Sequence, residues 1–284
     1  MTENIQNPGS ALGEAIGAEM EAALNAYLNS LADTAGCYYI NKGQKNPKTG
    51  KNKKLLMYDN YATAYNIDGV ITNESFQPLL LIECKYIRYK KHNRDKGSWI
   101  CAAHPALRKR YHSIRSSIAV LAGNWSKTSL AMMKSHDINY FLVPFSFICD
   151  LLKEFDINFD WDEKDRAAAV DAWTKYTSLT SKQKAEIGKQ MVGLIVSHLK
   201  ALVTIILDET AQRQISKVVL EVHTNLGEVR TFDCSSFEAA IEKLRKIECD
   251  SIFDVNDAVK LFDPPPPMQI EEGEPDDEDD NERK

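Results

Sequence analysis

The stretch Leu79-Leu80-Leu81-Ile82-Glu83-Cys84-Lys85 decides how this chain folds. Four aliphatic residues lead directly into an acid and a base, a pattern that predicts a buried strand ending at a polar edge. Because side chains alternate between the faces of a strand, Glu83 and Lys85 share one face, about 6.6 Å apart along the chain, and Cys84 lies on the other. Burying a charge without a partner is costly, so the adjacent carboxylate and ammonium indicate a built site.

A second acid lies upstream of this strand. Asp68 precedes Glu83 by 15 residues, at the start of a stretch that can pair with the first one. We expect strands over residues 68–72 and 79–85, joined by a polar turn. A hairpin of that length brings Asp68 opposite Glu83.

The predicted pair of carboxylates has the chemistry of a metal site. Asp68, Glu83, the main-chain carbonyl of Cys84 and water would suit Mg²⁺, which prefers hard oxygen ligands. Lys85 would orient or help deprotonate an attacking water and offset the negative charge that develops on a phosphate. Asp68, Glu83 and Lys85 are therefore predicted catalytic residues.

Two simpler interpretations of these residues remain open. Asp68-Gly69 is a common turn dipeptide, and Asp68 alone would fit a tight hairpin. Glu83 and Lys85 would also fit an exposed ion pair at a strand end, which contributes little stability.

The spacing of Asp68, fourteen further residues and then Glu83-Cys84-Lys85 resembles the PD-(D/E)XK motif of the restriction-endonuclease-like nucleases. In that superfamily the aspartate begins one strand and the (D/E)XK triplet lies on the next. Ile67 stands where the motif has proline, a position that often departs from proline in the superfamily. The resemblance covers roughly residues 11–145. It implies an α/β fold with a restriction-endonuclease-like core, a central mixed β-sheet flanked by helices and an additional helical C-terminal part.

The superfamily commonly has a helix before the sheet with a glutamate facing the metal. Apolar residues recur every three to four positions over residues 11–31, which predicts such a helix. Glu21 shares a helical face with Gly17 and is the predicted fourth catalytic residue. Glu14 and Glu19 are competing candidates, and Glu21 would also fit a solvated helix surface.

The resemblance implies a metal-dependent endonuclease that hydrolyses DNA phosphodiester bonds, in the manner of a type II restriction enzyme acting on foreign double-stranded DNA. Mg²⁺ is the implied cofactor, with Mn²⁺ as a substitute. The implied partners are double-stranded DNA, a second copy in a homodimer and a separately encoded methyltransferase. A repair or junction-resolving nuclease, a non-catalytic DNA-binding protein that keeps the fold, and an interaction protein acting through an acidic tail are the alternatives.

The charge of the chain is unevenly distributed. The formal net charge is −6, but residues 271–284 hold nine acids and two bases, which leaves +1 for residues 1–270. Residues 41–54 hold six lysines and no acid, and residues 85–96 hold six cations and one acid. Clustered cations interleaved with aromatic residues are typical of a surface that attracts a phosphate backbone, although solvated loops have the same composition. The predicted nucleic-acid-binding residues are Lys42, Lys45, Lys51, Lys53, Lys54, Arg88, Lys90, Lys91, Arg94 and Arg115.

Composition narrows the remaining function classes. No apolar run approaches the roughly 18 residues needed to cross a bilayer, and the first ten residues lack a signal pattern, so we expect a soluble cytoplasmic protein without membrane partners. Six scattered cysteines without a CxxC pair favour reduced thiols. Neither a zinc spacing nor a P-loop pattern is present, which argues against a zinc enzyme or a motor.

The expected organisation has three parts. These are a catalytic core over residues 1–150, a mainly helical region with a hairpin over 151–263, and a disordered acidic tail over 264–284 that begins with four prolines. Further strands are expected over 55–65, 140–145, 218–223 and 229–233. Further helices are expected over 106–121, 129–136, 147–154, 165–176, 181–207, 237–247 and 255–261.

Overall fold

The structure, a computed structural model, describes residues 7–89, 93–162, 164–248 and 259–267. The helices are α1 (Pro8–Thr34), α2 (Asn93–Arg110), α3 (Lys127–Ser135), α4 (Phe145–Lys153), α5 (Arg166–Ser178), α6 (Ser181–Leu207) and α7 (Phe237–Lys246). The strands are β1 (Tyr38–Ile40), β2 (Leu56–Tyr58), β3 (Ala64–Asn66), β4 (Gly69–Thr72), β5 (Pro78–Ile87), β6 (Ser116–Gly123), β7 (Ile138–Pro144), β8 (Val218–His223) and β9 (Val229–Cys234).

A five-stranded mixed sheet forms the centre of the fold, in the order β1-β4-β5-β6-β7. The β1–β4 and β4–β5 pairs are antiparallel, and the β5–β6 and β6–β7 pairs are parallel. Parallel neighbours need a crossover connection, which α2 and α3 supply. The predicted α/β class with a central mixed sheet flanked by helices is confirmed.

Helices cover both faces of this sheet. On one face, α1, α4, α5 and α6 share a core with Ile82 of β5 and Val120 of β6. On the other face, Ile100 of α2 and Leu130 of α3 pack against Leu121 of β6. Strands buried on both faces are typical of parallel sheets, and all eight residues of β6 are buried.

Helix α1 is longer than its apolar period indicates. It begins at Pro8, where the Asn7 side chain accepts a hydrogen bond from the main-chain N–H of Ser10, and proline suits the first turn because its missing N–H would be unpaired there.

Helix α6 packs along α1 at very short range. A Cβ at Gly188 would lie 2.6 Å from the main-chain carbonyl carbon of Glu19, so glycine permits the approach.

The helix expected over residues 106–121 is wrong. The helix is α2, which ends at Arg110 and contains Pro105, and residues 116–123 form strand β6 instead. A short, continuous apolar run fits a buried helix and a buried strand equally well, so its period does not distinguish them. The strand region expected over residues 55–65 is a separate two-stranded hairpin, β2–β3.

The described residues separate into two compact units, one ending at Asp208 and the other beginning at Glu209. The first unit includes α4, α5 and α6 because these helices complete the core that covers one face of the sheet. The division therefore differs from the expected boundary at residue 150. The second unit contains the antiparallel hairpin β8–β9 and helix α7.

Among the described residues, α6 is the one helix long and apolar enough to cross a membrane by length and composition. Its inner residues, including Ile187, Met191 and Leu199, are buried in the core with α1. This is the packing of a core helix in a globular protein, and the fold is consistent with a soluble one.

Some expectations fall on residues that are not described. Most of the helix expected over 255–261 lies in the undescribed segment 249–258, and residues 259–267 have no helix. The acidic part of the expected tail, residues 268–284, also lies outside the described residues.

Glu221 and His223 of the second unit form an exposed contact of 2.6 Å within β8.

Candidate active site

The side chains of Asp68, Glu83 and Lys85 meet at one end of the β4–β5 hairpin. Asp68 occupies the bend immediately before β4, while Glu83 and Lys85 extend from β5. Lys85 Nζ donates to Asp68 Oδ2 at 2.6 Å and lies 3.2 Å from Glu83 Oε1. One ammonium therefore bridges two carboxylates, in the juxtaposition that the sequence spacing predicts.

Main-chain hydrogen bonds fix both carboxylates. The N–H of Asp68 donates to Glu83 Oε2 at 3.0 Å, and the N–H of Cys84 donates to Asp68 Oδ2 at 3.0 Å. Each acid is thus held by the strand segment that carries the other one. The arrangement is not a local turn at Asp68, because its side chain bonds the Cys84 N–H and Lys85 Nζ, which lie 16 and 17 residues away.

Burial distinguishes the three groups. The Glu83 side chain is 1% exposed, whereas those of Lys85 and Asp68 are 22% and 31% exposed. The ion pair is therefore not the exposed strand-end pair that was the simpler interpretation. The Glu83 carboxylate is thus deeply buried, whereas solvent, and hence a ligand, can reach Lys85 and Asp68.

The environment changes the pKa values of the buried pair. Burial raises the pKa of Glu83 to about 7, and the charge of Asp68 adds to the rise while Lys85 opposes it. Burial alone would lower the pKa of Lys85, but the carboxylates of Glu83 and Asp68 outweigh it and raise that pKa. Lys85 therefore stays protonated at neutral pH, and burial favours the protonated form of Glu83.

Glu21 of α1 lies beside this cluster. Burial raises its pKa, repulsion by Asp68 raises it further, and Lys85 and Lys42 lower it. Among the competing acids, Glu14 lines the same cavity as Glu21 and Lys85. Glu19 instead hydrogen-bonds Tyr176 of α5, so its side chain is directed away from the cluster.

A tyrosine and an asparagine that sequence reasoning missed support the site. The Tyr39 hydroxyl of β1 donates to Asn25 Oδ1 at 2.6 Å, and the Asn25 side chain hydrogen-bonds Glu21. The Tyr39 ring lies against Gly69, where a Cβ would come within 2.7 Å of Tyr39 Cε2. Glycine after Asp68 is thus required for the close approach of this ring. The Asp-Gly pair, which also fits a turn, is visible in the sequence.

His104 is a third residue beside the cluster that is not among the predicted site residues. It lies on α2, is 0% exposed, and neither ring nitrogen has a hydrogen-bond partner. Burial lowers its pKa to about 3, and the charges of Lys85 and Asp68 also act on it. A neutral imidazole therefore lies within electrostatic range of the cluster.

The oxygen atoms of the cluster suit a metal ion with few protein ligands. In the described part of the chain, no group of three or more His, Cys, Asp and Glu side chains is arranged to hold one. Mg²⁺, however, is commonly held by one or two carboxylates, with water and phosphate oxygens as the other ligands. Asp68 and Glu83, bridged by one ammonium, fit that pattern, and Cys84 follows Glu83 directly on β5. The Cys84 thiol does not contribute, because burial raises its pKa and keeps it protonated.

The lysine-rich loop before β2 is exposed and folds back on itself. Main-chain bonds join Gly43 to Lys53 and Asn46 to Lys51, and an isolated bridge pairs Lys45 with Asn52. The predicted binding residues of this loop, all exposed, are Lys42, Lys45, Lys51, Lys53 and Lys54. Lys42 lies close enough to Glu21 to lower its pKa, which places one end of the loop beside the cluster.

The other predicted cations have different surroundings. Arg94, at the start of α2, is exposed, whereas Arg88 is 7% exposed and packs its guanidinium on aromatic rings. Lys90 and Lys91 lie outside the described residues.

Arg115 does not lie at the site. It precedes β6, and its Nη1 donates to the carbonyls of Ile206 and Asp208 at the end of α6, at 2.7 and 3.4 Å. Its N–H donates to Leu79 at the opposite end of β5 from Lys85, about 20 Å away by strand rise. The prediction that Arg115 contacts nucleic acid beside this site is corrected, because its guanidinium caps a helix C-terminus.

A cavity of about 530 Å³ opens beside the cluster, between α1 and the end of β5. Glu21, Cys84 and Lys85 line one end of it, and Arg88 and Lys96 also contribute to its wall. The cluster is therefore accessible to a ligand through a cleft that carries three cationic side chains.

Comparison with known proteins gives no name to this arrangement. No family model matches the chain, and no curated protein matches it. A search of solved structures finds the crystal structure of AF1548, a protein of unknown function, at 11% identity and a TM-score of 0.30. That similarity covers 64% of this chain and 99% of that one.

Proposed function

We propose that this chain is a Mg²⁺-dependent nuclease of the PD-(D/E)XK, restriction-endonuclease-like type, which hydrolyses phosphodiester bonds of DNA. The observation that carries the proposal is the convergence of Asp68, Glu83 and Lys85, with Lys85 Nζ at 2.6 and 3.2 Å from the two carboxylates. Asp68 lies before β4, and Glu83 and Lys85 lie on β5. This is the order of the motif that the sequence resembles.

The side chains have distinct roles in this proposal. Asp68, Glu83 and the Cys84 carbonyl would hold the ion, and bound Mg²⁺ would supply a more acidic water and neutralise charge on the phosphate. Lys85 remains an ammonium, since its pKa is raised, so it stabilises the developing negative charge of the phosphate and does not act as a base. Glu21, held by Asn25, faces the same space and would accept a hydrogen bond from a water molecule there.

DNA is the proposed substrate because exposed cations lie next to the cluster. Lys42 acts electrostatically on Glu21, and the rest of its loop presents further exposed lysines. Phosphate neutralisation by such side chains provides affinity that does not depend on sequence. The proposed biological role is restriction of foreign double-stranded DNA by a cytoplasmic enzyme, acting as a homodimer alongside a separately encoded methyltransferase.

Cleavage of plasmid DNA by the purified full chain tests this function. Methylated and unmethylated supercoiled plasmids are incubated with Mg²⁺, with Mn²⁺ and with EDTA, and the products are separated by size. We expect cleavage with either metal and none with EDTA, with discrete fragments from unmethylated DNA. Intact DNA under every metal condition, from protein shown to be folded, contradicts the proposal. Cleavage of RNA alone contradicts the assignment of DNA as substrate.

A further inference from the structure

The guanidinium of Arg88 is buried but only partly paired. Its Nη2 donates to the main-chain carbonyls of Phe159 and Trp161 at 3.0 and 3.3 Å, and its Cζ lies 3.7 Å from the centroid of the Trp161 ring. Its Nε and Nη1 have no hydrogen-bond partner, although the residue is 7% exposed. Buried polar groups in proteins are nearly always paired, so these donors lack a group that the chain does not supply.

Arg88 is one of the residues that line the cavity described above. Arg88 follows Lys85 by three residues on the same chain segment, a span of about 10 Å at the rise of a strand. Lys85 and Glu21 line the same cavity. A ligand held by Arg88 would therefore occupy space continuous with the catalytic cluster.

Two further polar groups have no other assigned role there. The Tyr86 hydroxyl is buried and unpaired, like Nε of Arg88. Lys96 of α2 also lines the cavity, and its Nζ donates to the Tyr86 carbonyl at 2.8 Å. With Lys85 and Arg88 this makes three cations against Glu14 and Glu21, so the cavity has an excess of positive charge.

Helix α1 packs closely against Tyr86 because it has glycine at the two contact positions. A Cβ at Gly13 would lie 3.0 Å from Tyr86 Cε1, and one at Gly17 would lie 3.1 Å from Tyr86 Cβ. A side chain at either position would therefore make a tight contact with Tyr86.

We propose that this cavity binds a phosphate group, with Nε and Nη1 of Arg88 and the Tyr86 hydroxyl as its hydrogen-bond donors. A guanidinium offers two parallel N–H groups that match phosphate oxygens. The inference rests on the proposed nuclease function for the source of the phosphate, which is a DNA strand. Because the span is only about 10 Å, the phosphate is a near neighbour of the scissile one along the same strand. A strand end and an internal phosphodiester offer the same chemistry.

Binding measurements without metal test the site separately from cleavage. Wild-type protein, Arg88→Lys and Tyr86→Phe are titrated in EDTA with labelled oligonucleotides that carry a 5′-phosphate or a 5′-hydroxyl, and with a circular strand. Arg88→Lys keeps the positive charge but loses the two parallel N–H groups of the guanidinium. We therefore expect its affinity for DNA to fall by about tenfold or more. Tyr86→Phe keeps the ring, and we expect a loss of about two- to tenfold.

The matched control is Arg110→Lys. Arg110 also donates from Nη1 to a main-chain carbonyl, that of Asp59 at 3.0 Å, and its Cζ lies 5.7 Å from the Tyr111 ring, but it does not line the cavity. We expect this variant to bind DNA within about twofold of wild type. Preference for the 5′-phosphate that Arg88→Lys removes would identify a strand end, and equal loss on the circular strand would identify an internal phosphate.

Inorganic phosphate provides the second readout. It should raise the melting temperature of wild-type protein and have a smaller effect on Tyr86→Phe, which separates ligand binding from a folding defect of Arg88→Lys. Unchanged DNA affinity in folded Arg88→Lys and in Tyr86→Phe overturns the inference, and so does a phosphate effect that occurs without any change in DNA affinity. If the variants bind DNA weakly but wild type never cleaves it with Mg²⁺, the phosphate site stands and the proposed nuclease function fails.

Discussion

Lys85 Nζ and Asp68 Oδ2 lie 2.6 Å apart, although 17 residues separate them in the chain. The contact joins the strand end of β5 to the bend before β4, and the Cys84 N–H reaches the same oxygen at 3.0 Å. Asp68 is therefore held by a charge and a main-chain donor at once. This relationship defines the geometry of the cluster and makes each of its members separately testable.

Lys85→Met tests the role of the ammonium. The variant removes the positive charge that acts on the phosphate but keeps most of the side-chain volume, so we expect cleavage to fall on the order of a hundredfold or more. Initial rates of plasmid cleavage with Mg²⁺ measure the effect. Lys109→Met, an exposed lysine near the end of α2, is the control and should cleave at the wild-type rate. Cleavage by Lys85→Met within threefold of wild type would contradict the assignment.

Glu83→Gln tests the raised pKa of the buried carboxyl. Folding raises that pKa from 4.5 to about 7, so between these values the folded state holds a proton that the unfolded state has released. Stability from this group is present below about pH 4.5 and is lost as the pH rises through 7. We expect Glu83→Gln to become more stable relative to wild type as the pH rises from 5 to 8 in EDTA.

Urea unfolding at several pH values measures this difference. Exposed Glu74→Gln should follow the wild-type curve throughout. A wild-type protein that instead gains stability over Glu83→Gln between pH 5 and pH 8 would show that Lys85 governs the ionisation of Glu83 more strongly than burial does.

The sequence predicts the β4–β5 hairpin well because its determinants are local. An apolar run that ends in an acid and a base predicts one buried strand. The spacing from Asp68 to Glu83 predicts a hairpin that pairs this strand with the preceding one. Helix α6 has the bounds that its apolar period predicts, and Thr180 and Gln183 form a capping box at its start.

Other features depend on contacts that no local pattern encodes. Strand β6 has the composition of a buried helix, and its pairing with β5 decides its structure. The burial of Arg88 depends on Phe159 and Trp161, more than 70 residues later. Arg115 belongs to a cationic run in the sequence, but its partner is the end of α6, more than 90 residues away.

His104→Leu tests the buried imidazole. Because burial lowers its pKa from 6.5 to about 3, the unfolded state binds a proton that the folded state lacks, and stability is lost as the pH falls below about 6.5. The leucine variant should lose less stability than wild type between pH 6.5 and 4.5. Removing two unpaired nitrogens should also leave stability at pH 7 unchanged or higher.

Chemical unfolding at the two pH values checks both parts, with exposed His112→Gln as the control. A loss at pH 7 of more than about 2 kcal/mol would show that the His104 nitrogens have partners in the folded protein, since losing a buried hydrogen bond costs about that much.

Replacing Lys51, Lys53 and Lys54 together by glutamine tests the exposed loop. We expect weaker binding to DNA of every sequence, and a salt dependence whose slope falls by about 0.9 for each phosphate contact removed. Affinity measured at several salt concentrations in EDTA gives the slope. The control replaces three exposed lysines of α6, Lys182, Lys189 and Lys200, and should leave it unchanged. Equal slopes in all three proteins would place the DNA elsewhere.

Asp68→Asn tests whether the Asp68 carboxylate holds Mg²⁺ for DNA cleavage. The amide oxygen can still accept from the Cys84 N–H, so the fold should be kept, while the charge needed to hold Mg²⁺ is lost. Cleavage rates with Mg²⁺ and DNA affinity in EDTA are measured for wild type, Asp68→Asn and exposed Asp95→Asn. We expect Asp68→Asn to cleave DNA more slowly, on the order of a thousandfold, with retained affinity, and Asp95→Asn to resemble wild type. Cleavage by folded Asp68→Asn within about threefold of the wild-type rate would contradict this role of Asp68, because such a difference is under 1 kcal/mol of transition-state stabilisation.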